Sequence, residues 1–382
     1  MDFTYTPLQQ QLREEIVRFA RKELSPGARQ RDREQRFDRS LFERCGVMGL
    51  TGLPVPEEFE GAGLDPVSTA IALEAFGYGC DDGGLVFSVC AHLLACTVPV
   101  WKYASDEQKR RYLPDLAAGR RIAVNAMTEP ESGSDAFNMK TSARQERDTY
   151  RLNGVKTFSS NGPVADLAVV YAVTDPDKGF YGGVSVFMVE RGAGGFASGQ
   201  KYEKMGLRSC PIGELVLDDV VVDQAALLGQ PGAGSAIFAD SMAWERVCIA
   251  ATHLGTMQRL LDRATEYARV RTSAGKKIGK YQAVAHKIAN LKIALESARW
   301  LTYRAASRLD TARDVALDAS IVKVLVSESL VQSAIDTIQV LGGYGFMTEY
   351  DVERTLRDSV AGTLYSGTNE VQRNIIAKWL GL

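Results

Sequence analysis

The spacing of apolar and polar positions changes character twice along the chain. Leu8, Leu12, Ile16 and Phe19 recur at spacings of four, four and three, which puts them on one helix face, while Glu14, Glu15, Arg18 and Arg21 fall mostly elsewhere. Pro26, Pro54, Pro56 and the Gly61–Gly63 stretch divide residues 1 to about 120 into several helices. From about 121 to 232 the apolar runs become short and rich in strand formers: Leu167 to Val173, Val184 to Val189 and Leu215 to Val222, punctuated by Gly, Asp and Pro. From about 233 the helical period returns, with Val247, Leu254, Met257 and Leu261 on one face of a long helix and similar patterns at 319–338 and 371–380. This order predicts an α+β fold in three domains: 1–120 all-α, 121–232 β and 233–382 helical.

Composition narrows the classes. The 382 residues are 45% hydrophobic, enough for a large core, and the formal net charge is −2. Lys and Arg are spread along the chain, so no nucleic-acid partner is expected. Cys45, Cys80, Cys90, Cys96, Cys210 and Cys248 show neither a CxxC pair nor zinc-type spacing, as expected of free thiols in a reducing cytosol. His92, His253 and His286 do not cluster, so no histidine-rich metal site is expected. The start Met-Asp-Phe-Thr is unlike a signal peptide, and no uninterrupted apolar run reaches the ~18 residues of a membrane helix. The expectation is a soluble, cytoplasmic protein with no membrane partner.

Two segments carry candidate chemistry. Ala126-Met-Thr-Glu-Pro-Glu-Ser-Gly-Ser-Asp135 follows a predicted strand and is dense in hydroxyls, glycine and backbone donors, so it can approach a polar heterocycle or a phosphate, though a plain surface loop reads the same way. Gln339-Val-Leu-Gly-Gly-Tyr-Gly-Phe346 is followed by Glu349, Arg354 and Asp358; its glycines permit close approach of a backbone or cofactor, and a helix C-cap is the simpler alternative. Gly342 to Gly345 is not a dinucleotide fingerprint, because no βαβ unit surrounds it.

Together, in this order, the two segments resemble the signature motifs of the acyl-CoA dehydrogenase family. The second matches from Gln339 to Asp358, and the first matches apart from its final small residue, here Asn138. The resemblance covers essentially the whole chain. It implies an N-terminal helical domain, a middle β-barrel-like domain and a C-terminal four-helix bundle, with FAD between the last two. It further implies that Met127, Thr128 and Ser134 contact the isoalloxazine region, and that Phe158 (usually Trp in the family) and Ser160 pack on and hydrogen-bond the flavin. Arg271 and Ser273 would reach the pyrophosphate of a second subunit's FAD in a homodimer or tetramer. The family's usual Phe is Ala274 here, which weakens that contact. Gln339, Gly343 and Thr368 would complete the adenosine and pyrophosphate site.

Many family members carry the catalytic carboxylate in a Tyr-Glu-Gly-Thr segment, where this chain reads Tyr365-Ser-Gly-Thr368. A serine hydroxyl is too weak a base to remove an α-proton at neutral pH without help. Glu245 is the candidate replacement. It shares a helix face with Phe238, Met242 and Ile249, where burial would raise its pKa toward the working pH. Pairing with Arg246 or Arg259 is the structural alternative. The resemblance supports catalysis, since isovaleryl- and long-chain-type members place the base on this helix in a similar Glu-Arg segment. It implies that Glu245 takes the α-proton, a β-hydride moves to flavin N5, and the thioester carbonyl is held by the Ser366 backbone N–H and a ribityl hydroxyl. Arg246 would hold the ligand or order the base.

The expected substrate is an acyl thioester of CoA or of an acyl carrier protein, with an electron-transferring flavoprotein as possible acceptor. The segments Leu207 to Leu215 and Leu364 to Gln372 resemble members found with polyketide or peptide assembly lines, which oxidise acyl or aminoacyl groups on carrier proteins. A flavin monooxygenase on the same scaffold, or a non-catalytic flavin-bound docking protein, are further alternatives. Trp244 and Phe238 are candidates for narrowing the pocket.

Overall fold

The computed structural model describes residues 4–312 and 314–382. Helix α1 (Pro7–Phe19) begins at Thr6 with a reciprocal cap: the Gln9 N–H donates to the Thr6 hydroxyl at 3.2 Å, and the Thr6 N–H donates to the Gln9 side chain at 3.0 Å. Ile16 is buried as its face predicts, but Leu8 is 72% exposed. The first turn is anchored through the Gln9–Ser68 hydrogen bond (3.2 Å) instead. Helices α2 (Pro66–Gly79), α3 (Gly83–His92) and α4 (Asp106–Ala117) complete the part of this region that shapes the site. Asp82 caps α3 by accepting from the Leu85 N–H at 3.1 Å, and pairs with Arg31 at 2.7 Å.

The middle region is a mixed sheet of β1 (Ala123–Ala126), β2 (Ser142–Glu146), β3 (Thr149–Ser160), β4 (Leu167–Val173), β5 (Val184–Glu190), β6 (Phe196–Lys201), β7 (Ile212–Asp223) and β8 (Leu227–Leu228). The hydrogen-bonded path runs β6-β7-β3-β2-β4-β5-β8, with β1 parallel to β4. Alternate residues of β4 and β5 (Val170, Phe187, Val189) share one core with alternate residues of β3 and β7 (Tyr150, Leu152, Leu217). The sheet therefore folds over its own interior, as the barrel-like expectation required. The opposite faces of β4 and β5 (Val169, Tyr171, Val186) pack against Leu113 and Leu116 of α4.

Helices α5 (Gly234–Val270), α6 (Gln282–Ala306) and α7 (Val315–Leu341) pack pairwise along their lengths, with α8 (Val352–Val360) and α9 (Asn369–Trp379) lying on α7. Val247, Leu254, Met257 and Leu261 are all buried. The N-terminal helices are welded to this bundle where α2 crosses α5. A Cβ on Gly77 would sit 2.0 Å from the Thr252 carbonyl oxygen, and one on Gly255 would sit 2.1 Å from that of Glu74, so only glycine allows the approach. Beside the crossing, buried Glu74 accepts from Arg299 at 2.9 Å and from the Tyr303 hydroxyl at 2.6 Å.

Among the described residues one helical stretch, Gly83–Tyr103, is long and apolar enough by mean hydropathy (1.8 over its most apolar window) to cross a membrane, though Ser88, His92, Thr97 and Lys102 interrupt its apolar run. Here 83% of that window is buried within the protein itself. All six cysteines are buried and free.

His92, at the end of α3, ties the helices to the sheet. Its Nδ1 accepts from the Ala123 N–H at 2.9 Å, and its Nε2 lies 2.9 Å from the Leu116 carbonyl. The neutral ring with its proton on Nε2 satisfies both, and burial pushes its pKa down to about 4. Between that value and the ordinary histidine pKa, the unfolded chain binds the proton and the folded chain does not, so stability rises with pH across this window. Denaturant midpoints should fall as pH is lowered from about 6.5 to 4, His92 accounting for roughly 3 kcal/mol. His92→Gln should flatten that slope by one proton; an unchanged slope would exclude the buried neutral ring as its source.

Candidate active site

The apolar stripe on α5 places Met242, Glu245 and Ile249 in the interior, with Glu245 only 8% exposed. The element facing it is the turn Tyr365–Thr368. Ser366 has φ +55° and Gly367 φ +85°, two consecutive left-handed residues, and for serine that conformation is strained. Polar contacts hold it there. The Ser366 hydroxyl donates to Glu245 Oε1, Arg246 Nε donates to the Ser366 carbonyl at 3.0 Å, and Gln372 Nε2 reaches the Ser366 and Gly367 carbonyls at 3.2 and 3.1 Å. Tyr365 stacks on Phe87 with centroids 4.8 Å apart, and its hydroxyl lies 2.8 Å from His253 Nε2. Among the described residues, the Ser366 backbone N–H has no hydrogen-bond partner and Glu245 accepts only from Ser366.

Burial raises the Glu245 pKa, and the Ser366 hydroxyl and Arg246 charge partly offset it. Burial also pushes Arg246 down to about 10, against the pull of Glu245. Arg259 does not pair with Glu245: it donates to the carbonyls of Gly77, Tyr78 and Cys80 and pairs with Asp81.

From Ile249 the same side of α5 runs through Thr252, His253, Thr256 and Arg259 along a small open cleft, walled on its other sides by Phe87, Cys90 and Tyr365. Trp244 is absent from it, which corrects one candidate for narrowing the pocket. Its ring is buried in the core on a different side of the helix, where Nε1 donates to Asp310 at 3.1 Å and the ring meets Trp101 edge-on. Phe238 packs on Tyr171 and Phe180 instead.

A second group of predicted residues lies on the β region. Pairing of β3 with β7 shifts register between Lys156 and Ser159, and Phe158 sits in that irregularity at φ +51°. Its ring is 65% exposed, backed by Tyr202 at 5.2 Å. Thr128 and Ser160 are half-buried, Ser134 is exposed, and the Met127 side chain is buried in the core. The loop bearing Met127 and Thr128 rests on an ion pair that sequence reasoning missed. Lys156 Nζ donates to Glu129 Oε1 at 2.8 Å and to the Met127 carbonyl at 3.1 Å. Glu129 also accepts from the Lys140 and Thr141 N–H groups, at 2.6 and 2.9 Å, and the Thr157 N–H donates to the Thr128 carbonyl at 2.8 Å. Burial pushes Lys156 down to about 8, whereas at Glu129 the Lys156 charge and the donors outweigh burial and hold the carboxyl below its usual range. The signal in the sequence was weak: Glu129 is one of three acidic residues in the Ala126–Asp135 segment, and Lys156 lies two residues before Phe158.

This surface fits a flavin. It presents an open aromatic face between hydroxyls, and beside it two buried polar atoms, Ser159 Oγ and Arg208 Nε, have no partner among the described residues. The loop carrying Arg208 is joined to this edge by the Asn161 N–H, which donates to the Pro211 carbonyl at 2.8 Å.

The third group lies elsewhere. Arg271 follows α5, 26 residues beyond Glu245, so about 39 Å of helix separates them. Its guanidinium sits over the Tyr344 ring at 5.8 Å, which brings it to the exposed Gly342–Tyr344 segment, with Ser273, Gln339 and Gly343 close in the chain to this contact. Arg271 is thus remote from Glu245 within one copy of the chain. Thr368 is with the base instead, capping α9 by accepting from the Val371 N–H at 3.3 Å.

Residues 6–120, 125–220 and 232–381 match, respectively, the N-terminal, middle and C-terminal domains of acyl-CoA dehydrogenase. An L-prolyl-[peptidyl-carrier protein] dehydrogenase of Pseudomonas fluorescens is 43% identical, with 100% of both chains covered. An acyl-CoA dehydrogenase of Bacillus subtilis is 38% identical, with 98% of each covered. A solved structure described as PigA with FAD and proline superposes with a TM-score of 0.97 at 40% identity, covering 100% of both chains. With all three domains matched in order and full-length relatives well above 30% identity, the chain belongs to the acyl-CoA dehydrogenase family.

Proposed function

We propose that this chain, with FAD bound, introduces a double bond α,β to the carbonyl of an acyl thioester, with Glu245 as the base. The observation that carries the reading is the buried Glu245 carboxylate facing a turn whose Ser366 N–H is unpaired. A thioester carbonyl accepting from that N–H has its α C–H acidified, because the donor stabilises negative charge developing on oxygen. Glu245 then receives the α-proton, its raised pKa bringing it closer to the acid it deprotonates. Arg246 keeps the turn in place through the Ser366 carbonyl. FAD, when bound, supplies the acceptor for the β-hydrogen and its electron pair. Met127 (through its backbone), Thr128, Ser134, Phe158 and Ser160 would hold its ring system. Arg271, Ser273, Gln339 and Gly343 of a second copy would hold its distal half, with Thr368 beside the base turn. A homo-oligomer is the proposed assembly, supported by the distance along α5 between Arg271 and Glu245. An electron-transferring flavoprotein is the proposed acceptor of the electrons.

A second form of this reading has the acyl group as an aminoacyl unit, prolyl in particular, on a carrier protein. The full-length relatives named for prolyl carrier-protein oxidation support it. So does the lining of the cleft, where Thr252, His253, Thr256 and Tyr365 replace the uniformly apolar wall a fatty chain would prefer.

Anaerobic bleaching of the bound flavin against a panel of CoA and carrier-protein thioesters tests both forms. A carrier-bound prolyl thioester should reduce it fastest. In Glu245→Gln, reduction should slow by about 10³-fold with the flavin spectrum intact, and undiminished reduction would remove Glu245 as base.

Lys156→Met leaves the Glu129 carboxylate buried without its counter-charge. It should raise the Kd for FAD at least tenfold and lower thermal stability by about 3–5 kcal/mol. Adding Glu129→Gln should restore most of the stability. FAD titration and thermal melts of the single and double variants read this out.

A further inference from the structure

The role of Ser366 in the reading above is carried by its backbone, yet its side chain is the sole described hydrogen-bond partner of the Glu245 carboxylate. We propose that the Ser366 hydroxyl is a positioning residue for the base: by donating to Oε1 it fixes the rotation of the carboxylate and leaves Oε2 as the atom that receives the α-proton. The inference rests on Glu245 being that base. The step balances with the β-hydrogen: the Cα–H bond breaks and an O–H bond forms at Oε2, the electron pair of the Cα–H bond forms the Cα=Cβ bond, and the Cβ–H bond breaks with its pair leaving to the bound FAD named in the reading above.

The geometry makes the hydroxyl hard to replace by chance. At φ +55° Ser366 occupies a conformation that favours Gly or Asn, and its carbonyl is drawn away by Arg246 Nε and Gln372 Nε2. Those two bonds set the direction of the Cα–Cβ bond, and the hydroxyl is delivered to the carboxylate. A turn residue that elsewhere in the family supplies a carboxylate here supplies the donor that orients one. A hydrogen bond to the ionised form also favours ionisation, opposing burial.

Several other titratable groups surround Glu245. Cys90 on α3, Cys96 in the turn after it, Tyr171 of β4 and Tyr365 are each raised by burial and stay protonated near neutral pH. On α5 itself, Arg246 is lowered to about 10 and His253 to about 4, both by burial. Lys323 on α7, near Arg246, is lowered to about 8 by burial and bears on the alkaline side only. Asp358, which lines the same cleft, is raised to about 7 by burial, so the limb that belongs to Glu245 is the one that Glu245→Gln removes.

The test is the pH dependence of anaerobic flavin bleaching in the holoenzyme, with carrier-bound prolyl thioester and butyryl-CoA as probes. Ser366→Ala and Ser366→Gly both keep the backbone N–H, and the glycine variant also relieves the left-handed strain. In each, the acid-limb midpoint should move up by about one pH unit, so that the rate below it falls several-fold while the plateau rate changes less. Ser366→Asn, which suits the left-handed turn and retains an N–H donor, should return the midpoint toward wild type. A direct infrared titration of the carboxyl C=O stretch, assigned by its loss in Glu245→Gln, should show the same displacement without turnover. An unmoved midpoint in both the Ala and Gly variants, at any plateau rate, overturns the inference. Undiminished turnover by Glu245→Gln would instead overturn the base on which it rests, a separate result.

Discussion

A carboxylate on the apolar stripe of a packed helix is held ionised only if something nearby compensates for the water it has lost. In this chain the compensation comes from a left-handed turn at the far end of the sequence, 121 residues away. The Ser366 hydroxyl and the adjacent Arg246 charge favour the anion, and burial opposes it. The balance leaves a carboxylate with a raised pKa and a fixed orientation, which suits a base that must act in a dry cleft. Strain at Ser366 is sustained because the turn is bonded to both α5 and α9.

That turn can face Glu245 only if α5 is located to within a fraction of an ångström. The crossing with α2, where Gly77 and Gly255 bring two backbones into contact, fixes α5 against the N-terminal helices. Phe87, on the next helix, then reaches Tyr365, and the two rings close one side of the cleft. His92, at the end of that same helix, carries the first strand of the sheet through a single N–H. The loop bearing Met127 and Thr128 is set on the sheet by the Lys156–Glu129 pair. A buried pair of this kind contributes little net stability but is very costly to break, so it acts as a locator for Met127 and Thr128. The surface thus fixed and the Glu245 turn are held by separate interactions, so loss of the base need not unseat the cofactor.

Much of this was legible from residue order alone. The three strand runs at 167–173, 184–189 and 215–222 fall within β4, β5 and β7, because buried strands need continuous β-branched and aliphatic residues. The face of Glu245 was legible for the same kind of reason: helical periodicity puts residues 238, 242, 245 and 249 on one side whatever they pack against. Leu8 and Trp244 show where periodicity stops. Leu8 had the right phase but no neighbour to cover it, and Trp244, one residue before Glu245, is buried on another side of the helix, bonded to Asp310.

The sequence by itself determined the order of helix, strand and helix, the family, and the identity of an unusual carboxylate, since these are written in local spacing and in motifs read contiguously. Only the tertiary structure decided what that carboxylate touches, that Lys156 and Glu129 pair beneath the loop bearing Met127 and Thr128, and that Arg271 stands about 39 Å of helix from the base. The physical reason is that burial, ion pairing and hydrogen-bond direction depend on atoms brought together from distant parts of the chain. No pattern within a window of residues encodes which of them will meet.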